Sequence, residues 1–114
     1  MTNKTTCISY LRYYEEKDLD RISEMFAEDI VLRDWKIHVT GKKKAIQETR
    51  KNFESADRIA IEVLATYENE QTVAAELKIT VDAVEELFVV DVITFNPKGE
   101  IQSIRAYLGR GNEE

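Results

Sequence analysis

The second half of the chain alternates. Ile59, Ile61, Val63, Ala65 and Tyr67 are separated by Ala60, Glu62, Leu64 and Thr66. After the polar stretch Glu68-Asn69-Glu70-Gln71, Val73, Ala75, Leu77, Ile79 and Val81 repeat the same period of two. That period puts successive side chains on opposite faces of an extended strand. A turn near Asp82 leads into residues 87–95, the most apolar run of the chain, and Asn96-Pro97-Lys98-Gly99 turns it again into residues 101–108. Four strand-like segments joined by short polar turns dictate an antiparallel sheet.

The first half has a different rhythm. Thr5 or Thr6 can cap a helix carrying Ile8, Leu11 and tyrosines 10, 13 and 14. A second helix begins at Asp18, with Leu19, Ile22, Met25 and Phe26 at helical spacing. Residues 30–34 form a short strand, and Gly41 precedes a third helix with Ile46, Thr49 and Phe53 on one side. Three helices followed by long antiparallel strands predict an α+β domain, a strongly curved sheet wrapped around helices with a cone-shaped space between them.

Within that sheet one residue is out of place. Asp91 shares strand parity with Leu87, Val89, Ile93 and Phe95, so its carboxyl points into the core. A carboxyl there is either paired or held neutral by a raised pKa, which is the state an enzyme uses for hydrogen-bond donation or proton transfer. The structural alternative is a network with Arg105 or a tyrosine hydroxyl. Asp34 shares parity with Ile30 and Leu32 at the end of its strand, so it too points inward. Its structural alternative is to cap the following loop through backbone N–H groups. Two inward carboxyls in different surroundings divide acid and base roles between them.

Length and composition narrow the rest. For 114 residues one domain is expected, burying roughly two-thirds of its unfolded surface. A formal charge of −6 argues against general nucleic-acid binding. Lys42-Lys43-Lys44, the one basic run, is expected to be a solvated helix start. No apolar run approaches the roughly 18 residues of a membrane-spanning helix, and the polar start lacks a signal-peptide core, so no membrane contact is expected. Cys7 stands alone, which leaves a reducing cytoplasm as the expected compartment. His38 has no partner at metal-ligand or triad spacing, and the four glycines are scattered, so no metal site and no phosphate loop are expected.

Three stretches resemble the ketosteroid isomerase branch of the nuclear-transport-factor-2-like superfamily, which also holds the SnoaL-like polyketide cyclases. They are Asp18-Leu19-Asp20-Arg21-Ile22 through Met25-Phe26-Ala27-Glu28-Asp29-Ile30, then residues 91–96, then Gly99 through Ser103-Ile104-Arg105-Ala106-Tyr107-Leu108-Gly109. The resemblance implies a single SnoaL-like domain over 1–114, a cystatin-like cone-shaped α+β barrel and no cofactor. It places Tyr10 at the family's helix-1 tyrosine, eight residues before Asp18. Asp34 falls at the general base, and protonated Asp91 at the oxyanion hole. Tyr14, Phe26, Trp35, Phe53, Val89 and Tyr107 would line a pocket for a small apolar ligand. Trp35 replaces the usual proline, and Lys36 and His38 stand near the mouth. Related activities remain open at this level, including cyclase, dehydratase and an epoxide hydrolase using Arg105, as does a non-catalytic binding module. A homodimer is expected through an apolar outer sheet face carrying Ala60, Leu64, Ala74, Phe88, Val90 and Val92.

Overall fold

The computed structural model describes residues 2–111. Helices α1 (Asn3–Glu15), α2 (Leu19–Met25) and α3 (Lys42–Ser55) pack on a six-stranded sheet. Its strands are β1 (Phe26–Arg33), β2 (His38–Thr40), β3 (Ile59–Asn69), β4 (Thr72–Val81), β5 (Glu85–Phe95) and β6 (Ile101–Gly109), in the order β2-β1-β6-β5-β4-β3. Only β1 and β6 run parallel; every other neighbouring pair is antiparallel. The α+β architecture is the one the alternation predicts. Among the described residues no helix is long and apolar enough to cross a membrane.

Local chemistry sets the boundaries. Thr2, not Thr5 or Thr6, caps α1, its hydroxyl oxygen accepting from the Thr5 amide at 3.1 Å. Asp18 caps α2 by accepting from the Arg21 amide at 3.2 Å. Phe26 leaves that helix and opens β1, which is longer than residues 30–34. His38 belongs to the short edge strand β2, paired with Arg33. In the β5–β6 turn Asn96 Oδ1 accepts from the amides of Lys98 and Glu100, while Gly99 takes φ +82°, a conformation favouring glycine.

A bulge between Val63 and Ala65 changes the reading of β3. The extra residue reverses the facing of the strand's second half, so Tyr67 pairs with Ala74 and is 61% exposed on the outer face. Helix α1 covers part of this edge strand. Glu15 Oε2 accepts from the Ile61 amide at 2.6 Å, and Arg12 donates to the Ile61 carbonyl at 3.3 Å. Leu11, Ile22, Ile30, Leu77, Ile93 and Ile104 form the centre of the core between helices and sheet.

Candidate functional site

Between the concave face and the helices lies a cavity of about 310 Å³. Asp34, Asp91, Tyr10 and Tyr14 all line it, together with apolar residues such as Val89 and Leu77. The space opens above Asp91 because its neighbours on both flanking strands are small: it pairs with Ala75 on β4 and Ala106 on β6. Larger residues at those positions would fill the floor.

Asp91 is 9% exposed, and none of its side-chain oxygens hydrogen-bonds another side chain or an amide among the described residues. Every fully buried side-chain polar atom in the described residues is satisfied, so the Asp91 carboxyl is open to the cavity. Burial, and after it the negative charge of Asp34, pushes its pKa from 3.8 to about 7. Near neutrality it is part carboxylic acid, able to donate.

Asp34 sits just past β1, half-buried at the opposite side of the charge pair. Its Oδ1 accepts from the amides of Lys36 at 2.7 Å and Ile37 at 2.9 Å. Capping of the loop therefore coexists with a place in the cavity lining. This short turn holds Trp35 and Lys36 at the cavity mouth, with Trp35 42% exposed.

The two tyrosines stack along α1, one turn apart. Their rings meet edge-on with centroids 5.9 Å apart. Burial pushes the Tyr10 phenol well above its usual range, with smaller contributions from Tyr14, Asp91 and Cys7, so it stays protonated. Tyr14 is pushed to about 12 by burial, opposed by a hydrogen bond from Asn52 and reinforced by the charges of Asp91 and Asp34. Asn52 Nδ2 donates to the Tyr14 oxygen at 3.1 Å.

Three residues expected in the pocket lie elsewhere. Phe26 is fully buried behind Tyr10, ring centroids 6.2 Å apart, and Phe53 meets the Tyr14 ring edge-on at 4.8 Å; both support the tyrosines and neither lines the cavity. Tyr107 is on the outer face, since it pairs with Val90 while the cavity-facing Asp91 pairs with Ala106. Its hydroxyl accepts from Arg33 at 2.6 Å. The same parity places Arg105 opposite Val92, on the outer face, where it donates to Ser103; it is no inward arginine. Asn52 is the functional candidate that sequence reasoning missed. Its signal was the polar spacing Thr49, Asn52, Ser55 on α3, all of which line the cavity. Among the described residues no three His, Cys, Asp or Glu side chains cluster as a metal site.

Comparison with known proteins adds the family. Residues 8–108 match the SnoaL-like domain model. No match is found among the curated proteins. Among solved structures, the epoxide hydrolase/cyclase-like enzyme SalBIII, of pyran ring formation in the polyether salinomycin, is 25% identical with a TM-score of 0.82, covering 94% of this chain and 90% of that one. A candidate ketosteroid isomerase from Kribbella flavida is 13% identical with a TM-score of 0.84, covering 98% and 81%. A SnoaL-like protein of unknown function from Burkholderia thailandensis is 16% identical with a TM-score of 0.84, covering 94% of each chain. The cone of helices and curled sheet is the fold these neighbours share. With the match extending over nearly its whole length, the chain belongs to the SnoaL-like domain family.

Proposed function

We propose that the cavity binds a small apolar ketone and moves a proton next to its carbonyl without a cofactor. One observation carries this reading: Asp34 and Asp91 line a single apolar cavity, and only Asp91 is left without a hydrogen-bonding partner. Asp34 carboxylate takes a proton from the carbon beside the ketone, and the C–H electron pair moves into an enolate. Asp91 as the acid, with a tyrosine hydroxyl, donates hydrogen bonds to the oxygen as charge develops there. Protonated Asp34 then returns the proton further along the conjugated system, so no atom is gained or lost. Such donors act in a dry site aimed at developing charge, and losing one costs about 100- to 1000-fold in turnover.

The test is binding of phenols, whose phenolates mimic the enolate oxygen, to wild type and to Asp91→Leu. Alongside it, conversion of cyclohex-3-enone to its conjugated isomer is followed by absorbance. Binding that collapses in Asp91→Leu, with turnover reduced by about 100-fold or more, supports the reading. Absence of phenol binding by wild type removes it in favour of a non-catalytic ligand- or protein-binding module.

A second reading has its own support in the similarity to SalBIII. A carboxylic acid and a carboxylate lining one cavity also suit epoxide opening: Asp91 gives its proton to the epoxide oxygen as the C–O bond breaks, while Asp34 takes one from the attacking water, giving a diol, or from a hydroxyl of the substrate, giving a cyclic ether. Diol or cyclic ether formation from a cyclic epoxide alcohol separates it from the isomerase. We further propose a homodimer through the outer sheet face, where Val90, Tyr67 and Tyr107 are exposed together.

A further inference from the structure

The stripe Thr49, Asn52, Ser55 recurs every three residues along α3 and faces the cavity. Two of its members are satisfied within their own helix: Thr49 donates to the Ala45 carbonyl at 2.8 Å and Ser55 to the Asn52 carbonyl at 2.9 Å. Asn52 alone reaches another element, its amide nitrogen lying 3.1 Å from the Tyr14 oxygen on α1. Asparagine adds nothing to an exposed helix position by propensity, since alanine or glutamate would serve better there.

That contact has a directional consequence. An amide –NH2 group can only donate, and a phenol carries one hydrogen. When Asn52 occupies the acceptor side of the Tyr14 oxygen, the hydroxyl hydrogen must point the other way. The ring that carries it is clamped edge-on by Phe53 at 4.8 Å and by Tyr10 at 5.9 Å. No other side chain among the described residues bonds the Tyr14 hydroxyl, and the space it faces is the cavity holding Asp34 and Asp91. Tyr10, by contrast, has no side-chain partner for its hydroxyl among the described residues, so no such bond fixes that rotor.

We infer that Asn52 is a positioning residue that turns the Tyr14 hydroxyl hydrogen into the cavity, making Tyr14 a preorganised ligand-facing donor beside Asp91. Its role toward a ligand rests on the enolising function proposed above; the orientation itself does not. Helix α3 docks through Ala45, Thr49 and Phe53, so the orienting amide stands on a rigid base. A donor fixed before the ligand arrives costs no reorganisation when charge appears.

The orientation is tested in the free protein. Tyrosine is replaced throughout by 3-fluorotyrosine, the Tyr14 fluorine signal is assigned by its loss in Tyr14→Phe, and its ionisation is followed in wild type and Asn52→Leu. If Asn52 donates to Tyr14, removing it destabilises the phenolate, and the Tyr14 ionisation constant falls by about threefold or more. If Asn52 instead accepts from Tyr14, the constant rises; that result, or no change, overturns the inference. Asn52→Ala serves should Asn52→Leu fold poorly. A double-mutant cycle then measures phenol binding. Asn52→Leu should weaken it by about three- to tenfold in wild type and by less than about twofold in Tyr14→Phe. Equal losses in both backgrounds overturn action through Tyr14. Should wild type bind no phenol, the enolising function fails, while the sign of the ionisation change still decides the orientation.

Discussion

Asp34, just past β1, and Asp91, on β5, line one cavity, and they are hydrogen-bonded unequally. Two backbone amides occupy one oxygen of Asp34, whereas Asp91 receives no hydrogen bond among the described residues and is exposed to the negative charge of Asp34. The protein thus holds a supported carboxylate and an unsupported one within each other's field. Two residues of one type thus stand in different surroundings, which is the condition for dividing acid and base roles between them.

The coupling between them is measurable. Asp34→Asn removes the negative charge while its amide oxygen can still accept from the Lys36 and Ile37 amides. The pKa of Asp91 should fall below about 7 in this variant, yet stay above 3.8 because burial is the larger cause. Carboxyl-labelled NMR titration reads it directly, and an unmoved Asp91 would sink the electrostatic account.

Asp91 also makes stability depend on pH with a definite sign. Its folded pKa lies above its unfolded value, so the native state binds the extra proton, and Asp91's contribution is full below about pH 4 and lost as pH rises to about 7. A carboxyl carried from 3.8 to about 7 corresponds to on the order of 4 kcal/mol. Asp91→Leu should therefore gain stability relative to wild type across that window and run parallel to it above. Urea unfolding at several pH values checks this; a constant difference contradicts it.

The fold was legible because period-two alternation survives nearly intact in β4, β5 and β6. It failed where the chain inserts a residue. Nothing in Val63-Leu64-Ala65 announces a bulge, so alternation alone groups Tyr67 with Ile59 and Ile61, whereas the strand turns it to the opposite face. The inward direction of Asp34 and Asp91 was readable from parity alone. The outward facing of Tyr107 and Arg105 was not readable in this way, since it takes the pairing of Ala106 with Asp91 to fix the register of β6. Asn52 depended on how α3 is rotated against α1, which helical periodicity constrains only to within a residue or so.

The clamp on the sheet edge should carry stability. Glu15→Ala leaves the Ile61 amide without its carboxylate partner and should cost about 1–2 kcal/mol in chemical denaturation. Glu15→Gln keeps an acceptor oxygen and should cost less than half of that. If both variants match wild type, water replaces the clamp and α1 is held by its apolar face alone.

On the outer face Val90 is flanked by Glu76 on β4 and Tyr107 on β6. If two copies pair there, Val90→Glu buries a second carboxylate beside Glu76 and should shift the molecule to a monomer in light scattering, with the cavity-facing residues untouched. A wild type that is already monomeric at tens of micromolar removes the dimer.

Cavity volume sets the largest ligand. A dry apolar cavity of about 150 Å³ holds one benzene ring. The 310 Å³ beside Asp91 therefore suits a one- or two-ring body, with its oxygen toward Asp91 and Tyr14. Across a phenol series, affinity should rise from phenol to 2-naphthol as more apolar surface is buried, by roughly 25 cal/mol per Å². It should then fall for a four-ring phenol, which cannot enter without displacing the mouth. Trp35 stands at that mouth, so Trp35→Ala should recover part of the four-ring binding and leave 2-naphthol nearly unchanged. Titration of each phenol by fluorescence decides the matter. If the four-ring phenol binds wild type as tightly as 2-naphthol, the cavity expands on binding and its resting volume does not select the ligand.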